Sequence, residues 1–302
     1  MTSIPLVYSP FYSYSFPANH RFPMSKFHHL YQCLDAQGVI KNNNVFRPGR
    51  VKAEVLALAH DDDYINRFEN NLLSTKELRK MGLPWSEPLV KRSMISPNGT
   101  LMTGSIALNH GIACHLAGGT HHANYDHGRG YCIFNDLAVA AKSLIAQNKA
   151  KRILIFDCDV HQGDGTASIL SDDEHIFTCS IHCEKNFPHH KATSDLDVGL
   201  PKGMNDAEYL IVVEETLYQA IQLSQPDLVF YDAGVDIYAN DGLGYLNIST
   251  DGILARERLV LSTLKQHNLP VATVIGGGYD KDTPALAKRH ALVFQAAQEI
   301  YS

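Results

Sequence analysis

The chain has 302 residues, 45% hydrophobic and 19% charged, a balance that suits a folded globular protein and excludes a disordered one. Its formal net charge is −6, so no basic face invites nucleic acid, and no apolar run approaches the roughly 18 to 20 residues of a membrane span. Residues 1–22, MTSIPLVYSPFYSYSFPANHRF, lack the basic start and apolar stretch of a secretory signal, and the six scattered cysteines form no C-x-x-C pair, which together point to a reduced, cytoplasmic protein.

Taken in chain order, IPLVYS (4–9) and EVLALAH (54–60) read as strands, and GTLMTGSIALNHGIACHLAGG (99–119) and NDLAVAAKSLIAQNK (135–149) as helices. From there strands and helices alternate. RILIFDCD (152–159), HIFTCSIH (175–182), DLVFYDAG (227–234) and VATVIGG (271–277) are short apolar runs that end in polar or glycine-rich residues, as buried strands do. Between and after them come a helix that starts at Asn205, with Glu208 in place for a capping box, one that starts near Thr250, and one over 282–301. Such an order predicts an α/β chain with a parallel sheet covered by helices on both faces. No repeat or linker divides it, so residues 1–302 are expected to form one domain.

Ligands of open parallel sheets bind beyond the carboxyl ends of the strands. Those ends carry Asp157, Asp159 and His161; Ser180 and His182; Asp236; and Gly278 with Tyr279. The stretch DCDVHQGDG (157–165) is the densest, with three aspartates and a histidine after a greasy strand. Buried carboxylates are normally paired or hold a metal. Asp159 and His161 are two apart, so in an extended segment both point the same way, and Asp236 from another strand completes an Asp-His-Asp set suited to a catalytic metal with open positions. The plainer reading is that Asp164, between Gly163 and Gly165, merely starts a helix. His121 and His122 follow Gly118-Gly119-Thr120 and precede a polar loop; they read as an acid/base pair near the metal, with Asp157 and Asp164 as orienting carboxylates. Most of the remaining histidines, such as His110, His115, His267 and His290, read as ordinary surface or core residues in helices. GGGYD (276–280) matches no phosphate-loop spacing and reads instead as a hinge that brings the Tyr279 phenol to a developing oxyanion.

GGTHHANYDHGRGYCIFND (118–136), DCDVHQGDGT (157–166), AGVDIYANDGLG (233–244) and GGGYD together resemble the signature segments of the histone deacetylase superfamily. HRFPMSKF (20–27) and GLPWSEPLVKRS (82–93) resemble its class IV branch and related bacterial proteins, and the likeness runs from about residue 4 to 300. It implies an arginase/deacetylase fold, a single domain with an eight-stranded parallel sheet flanked by helices. It implies Asp159, His161 and Asp236 as ligands of Zn2+, with Fe2+ as an alternative; His121 and His122 as the acid/base pair backed by Asp157 and Asp164; and Tyr279 as the carbonyl-polarising phenol. Tyr131 and Phe187, with Gly130, would wall an acyl-lysine tunnel with Leu243 near its mouth. A structural K+ or Na+ would sit on Asp157, the carbonyls of Asp159 and His161, Ser180 and Ile181. Tyr131 replaces a phenylalanine common among relatives, and Asp164 an asparagine common in class IV.

The activity so implied is metal-dependent hydrolysis of acyl-lysine amides in proteins or peptides, from acetyl to longer fatty acyl groups, Gly128 and Gly130 leaving room beside the acyl tail. Alternatives are an acetylpolyamine deacetylase, a catalytically silent acyl-lysine binder, and an arginase-like binuclear manganese hydrolase. The last would need a D-x-H-x-D ladder, and Asp164 lies one residue too far along for it.

Overall fold

The computed structural model describes residues 3–302; the first two residues of the segment read above as lacking a signal lie outside the described residues. The strands in chain order are β1 (Leu6–Val7), β2 (Val45–Phe46), β3 (Ile112–His115), β4 (Ile153–Asp157), β5 (Ile176–Cys183), β6 (Leu196–Leu200), β7 (Leu228–Asp232) and β8 (Val271–Val274). They pair in one all-parallel sheet of order β2-β1-β3-β8-β7-β4-β5-β6. Every residue of β3, β4, β7 and β8 is buried, the mark of strands covered on both faces.

Ten helices are described: α1 (Lys26–Ala36), α2 (Ala53–Leu56), α3 (Asp62–Glu69), α4 (Thr75–Met81), α5 (Glu87–His110), α6 (Asp136–Ala146), α7 (Asp164–Leu170), α8 (Asp206–Ser224), α9 (Thr250–Gln266) and α10 (Thr283–Tyr301). α1, α10, α9 and α8 pack in succession, and α5 packs on α6, β3 and β8. The caps explain several boundaries. Asn205 accepts from the N–H groups of Ala207 and Glu208 at 3.0 and 3.2 Å, while Glu208 reaches back to Asn205, so α8 starts with the expected capping box. Ser249 and Asp282 cap α9 and α10 in the same way.

Two expected elements differ. EVLALAH is not a strand: residues 53–56 form α2, and Leu56 and Ala59, three apart, are buried while Leu58 is exposed, a helical spacing rather than an alternating one. The helix expected over 99–119 begins earlier, at Glu87, and stops at His110 because Gly111 takes a left-handed φ of 80° and donates to the Ala107 carbonyl. Ile112–His115 then pairs with β1 and β8, so His115 lies in a strand; its ring meets the Tyr12 hydroxyl at 2.7 Å and Thr100 Oγ1 at 3.1 Å. The edge strands β2 and β6 were not read: β2 is two residues long, and LDVGL of β6 alternates as a half-buried strand does but over only five residues.

Candidate active site

β4 and β7 run in register to Asp157 opposite Asp232, with Ser180 of β5 on the other side of Asp157. Beyond these ends the chain leaves the sheet, and its loops carry Asp159, His161 and Asp236 together. His161 Nδ1 lies 3.0 Å from Asp159 Oδ1 and 3.1 Å from Asp236 Oδ2. The ligand atoms of the three all lie within 4.8 Å of one another, and all three residues are buried. Backbone holds the carboxylates: Val160 N–H donates to Asp236 Oδ1 at 2.9 Å and Gly277 N–H to Asp159 Oδ2 at 2.6 Å. Gly277 is required here, since a Cβ would collide with both carboxylates.

These residues fit a divalent metal. Asp236 Oδ2 is buried and outside hydrogen-bonding geometry with any donor among the described residues. Burial and the Asp159 charge push the Asp236 carboxyl up to about 7, while burial of His161 is outweighed by Asp159 and Asp236, which raise it to about 10. Negative charge outruns positive in this cluster, a condition that a cation relieves. Two carboxylates and one imidazole suit Zn2+ or Fe2+.

His121 and His122 stand beside it, ring centres 4.2 Å apart. His121 Nδ1 is 2.7 Å from Asp157 Oδ2, and His122 Nδ1 is 2.6 Å from Asp164 Oδ1. Their electrostatics diverge. Burial works against charge on His121, but Asp157 and Asp159 overcome it and hold this ring well above the usual histidine range. Burial and the neighbouring His121 charge press His122 down to about 3 despite Asp164. Asp164 is the first residue of α7, but Gly163 is the N-cap and no side chain caps this helix, so the plain N-cap reading of Asp164 does not hold; its carboxylate meets His122 instead. Arg129 donates to its second oxygen at 2.5 Å and lies over the Phe187 ring at 4.6 Å.

A cleft of about 520 Å³ opens to solvent above this cluster, bordered by Tyr131, Phe187 and Leu243. A small cavity of about 30 Å³ lies on the inner side, bordered by His121, Asp159, Lys26 and Arg92. His122, Gly130, Tyr131 and Tyr279 border both, and so mark the passage between them. Tyr131 takes a left-handed φ of 67°, a strained conformation for its type that is held by Tyr131 N–H donating to the Met81 carbonyl at 2.9 Å. Tyr279 is fixed by its N–H to Asp241 Oδ2 at 2.7 Å, and burial together with Asp159 and Asp236 pushes its phenol well above the usual range, so it stays a donor.

Every residue singled out for the metal, the histidine pair and the tunnel is therefore brought to one place. For the K+ or Na+ set, Asp157 and Ser180 are direct register partners and Ile181 is buried beside them; Ser180 Oγ is engaged by His182 Nδ1 at 3.0 Å. One expectation fails. Gly128 leaves no space, because a Cβ there would meet the Cys132 carbonyl at 2.8 Å and the Tyr64 hydroxyl at 2.9 Å. Several residues of the site went unread in the sequence. Asp136 accepts from the N–H groups of Gly119 and Thr120 at 3.2 and 2.7 Å and so sets the histidine loop; Asp241 seats Tyr279. Asp232, fully buried with both oxygens unpartnered among the described residues, forms a second cluster with His121 and Asp157, and burial plus the Asp157 charge push its carboxyl far up. Lys26 donates to the Gly276 carbonyl at 2.9 Å, and burial lowers it to about 8. The signal for Asp232 was its place at a strand end; Lys26 lay inside HRFPMSKF, which carried the resemblance but pointed to no role for the lysine.

Comparison with known proteins agrees with this fold. The histone deacetylase domain model matches residues 20–296. An uncharacterised protein of Picosynechococcus sp. is 48% identical over 98% of this chain and 99% of its own, and histone deacetylase 2 of Arabidopsis thaliana is 28% identical over 94% and 76%. The crystal structure of the HDA15 HD domain, 18% identical, superposes with a TM-score of 0.81 over 97% of this chain and 90% of that one, a likeness of fold.

Proposed function

The chain belongs to the histone deacetylase family and is by that membership a deacetylase, a hydrolase; from this premise we propose that it removes acetyl or similarly short acyl groups from the ε-amine of lysine in proteins or peptides. One observation carries the reading: an Asp-His-Asp cluster, a carboxylate-backed histidine pair and a tyrosine phenol meet at the passage between an open cleft and a small inner cavity. Asp159, His161 and Asp236 would hold the metal. A divalent ion there supplies positive charge that polarises a carbonyl and acidifies water near neutral pH.

The chain's own groups supply the rest. Lysine's methylene stem fits between Tyr131 and Phe187, and the Tyr279 hydroxyl donates to the amide oxygen as it gains charge. His122 is neutral and its Nδ1 is engaged by Asp164, so its Nε2 is free to take the proton of the attacking water. The resulting imidazolium returns that proton to the departing lysine amine. His121, kept charged by Asp157, adds positive field beside it. Lys26 and Arg92 face the inner cavity, where the new carboxylate forms. On this reading the small inner cavity receives the acetyl methyl. Metal-loaded protein assayed on one peptide bearing acetyl-, octanoyl- or myristoyl-lysine should cleave acetyl fastest. Preference for myristoyl would contradict the short-acyl reading, and no cleavage of any would favour a silent binder.

A further inference from the structure

The rim of the cleft differs in charge from the rest of the chain. Against a net charge of −6, the cleft is bordered by Arg21, Arg79, Lys80 and Arg129 and by no aspartate or glutamate. Separate pieces of chain bring them there. His20 Nε2 bonds the Gly82 carbonyl at 3.0 Å and so seats Arg21; Arg79 and Lys80 form the last turn of α4; Arg129 lies two residues before Tyr131, whose N–H is tied to Met81. Arg21, Arg79 and Lys80 are exposed and make no ion pair among the described residues. Of the acids near Lys80, Asp164 is already bonded to Arg129 and Asp126 to His127. A fifth cation, Lys202, lies 3.7 Å from the centre of the Tyr245 ring, which also borders the cleft. Cations in a helix's last turn answer the helix dipole, and that accounts for Arg79 and Lys80. It does not account for Arg21 and Arg129, which lie on loops.

We infer that the cleft selects acyl-lysine flanked by acidic residues, an inference that rests on the deacetylase reading above. With the acyl group passed inward between Tyr131 and Tyr279, whatever meets the rim belongs to the peptide that carries the lysine. Aspartate or glutamate there meets three unpaired cations; an acetylpolyamine presents further ammonium groups and is repelled. The rim charges act through water, so the preference is moderate, resides mainly in association and fades with salt.

Three acetyl-lysine peptides that differ only in flanking residues (acidic, neutral amide or basic) test this on metal-loaded protein, together with N-acetylspermidine. At low salt kcat/KM should be roughly tenfold higher for the acidic than for the neutral peptide, the sum of a few exposed charge pairs, and lowest for the basic peptide and the polyamine. Added NaCl should narrow the gap, and R79Q combined with K80Q should lower the acidic peptide towards the neutral one. Equal rates for all three peptides, or a preference for the basic peptide or polyamine, would overturn the inference and leave the deacetylase reading intact. Fluorescence anisotropy with the same labelled peptides reads the preference without turnover: tighter binding of the acidic peptide with no cleavage of any would support the charged rim and sink the hydrolase reading.

Discussion

At the scale of single residues, what divides labour in the site is the opposite electrostatic fate of neighbours. His121 and His122 are adjacent, equally buried and each bonded to an aspartate, yet one sits high and the other near 3 because His121 also feels Asp159 while His122 feels His121. Tyr279 offers the cleanest single test. Tyr279→Phe keeps the ring and its backbone bond to Asp241 and removes only the hydroxyl. Loss of one oxyanion donor costs roughly 10²- to 10³-fold in kcat, with KM little changed because the bond strengthens in the transition state. Steady-state kinetics with near-normal kcat would take Tyr279 out of the reaction. The residues that bear chemistry by type and position were legible in the sequence: Asp159, His161 and Asp236 because strand ends carried them, and the histidine pair because of the glycines and polar loop around it. Asp136 and Asp241 were not, since acids that fasten loops by accepting N–H and hydroxyl bonds have no signature until the loops close on them.

At the scale of elements, the site depends on loops being fastened to helices. His60 shows how. Its Nδ1 faces the Asn124 carbonyl at 2.9 Å and its Nε2 accepts from the Asn135 N–H at 2.8 Å, which ties the histidine loop to the start of α6 in one neutral tautomer. Burial lowers its pKa to about 4, so between pH 6.5 and 4 the unfolded chain takes up a proton that the native protein refuses. Its contribution is complete above about pH 6.5 and is lost as pH falls, by up to about 1.4 kcal/mol per pH unit. Urea unfolding at pH 7, 6 and 5 should show this slope, reduced in His60→Gln; identical slopes in the two proteins would contradict it. α8 gives a second test: Asn205→Ala removes the cap and should cost about 1 kcal/mol, read as a lower urea midpoint. Both helix starts were legible from side-chain pattern. The strand expected at 54–60 was not, because a short apolar run carries no period that separates strand from helix.

At the scale of the whole molecule, an all-parallel sheet puts every strand end on one edge, and that one fact turns scattered motifs at 118–136, 157–166, 233–244 and 276–280 into a single site. The alternation of the second half made the sheet readable; the edge strands β2 and β6 pair where local sequence says little. The shape of the site was also beyond the sequence, since it depends on how loops from separate motifs close around the passage bordered by His122, Gly130, Tyr131 and Tyr279. Metal loading should stabilise the whole fold, because the ion binds the native cluster and not the unfolded chain. The most direct measurement is therefore paired: metal content by elemental analysis and acetyl-lysine peptide hydrolysis, on native protein, chelated protein, zinc-restored protein and Asp236→Ala. We predict one ion per chain and activity in the native and restored samples, and neither in the chelated protein or the variant; a chelated protein that still hydrolyses the peptide at its full rate would contradict the account.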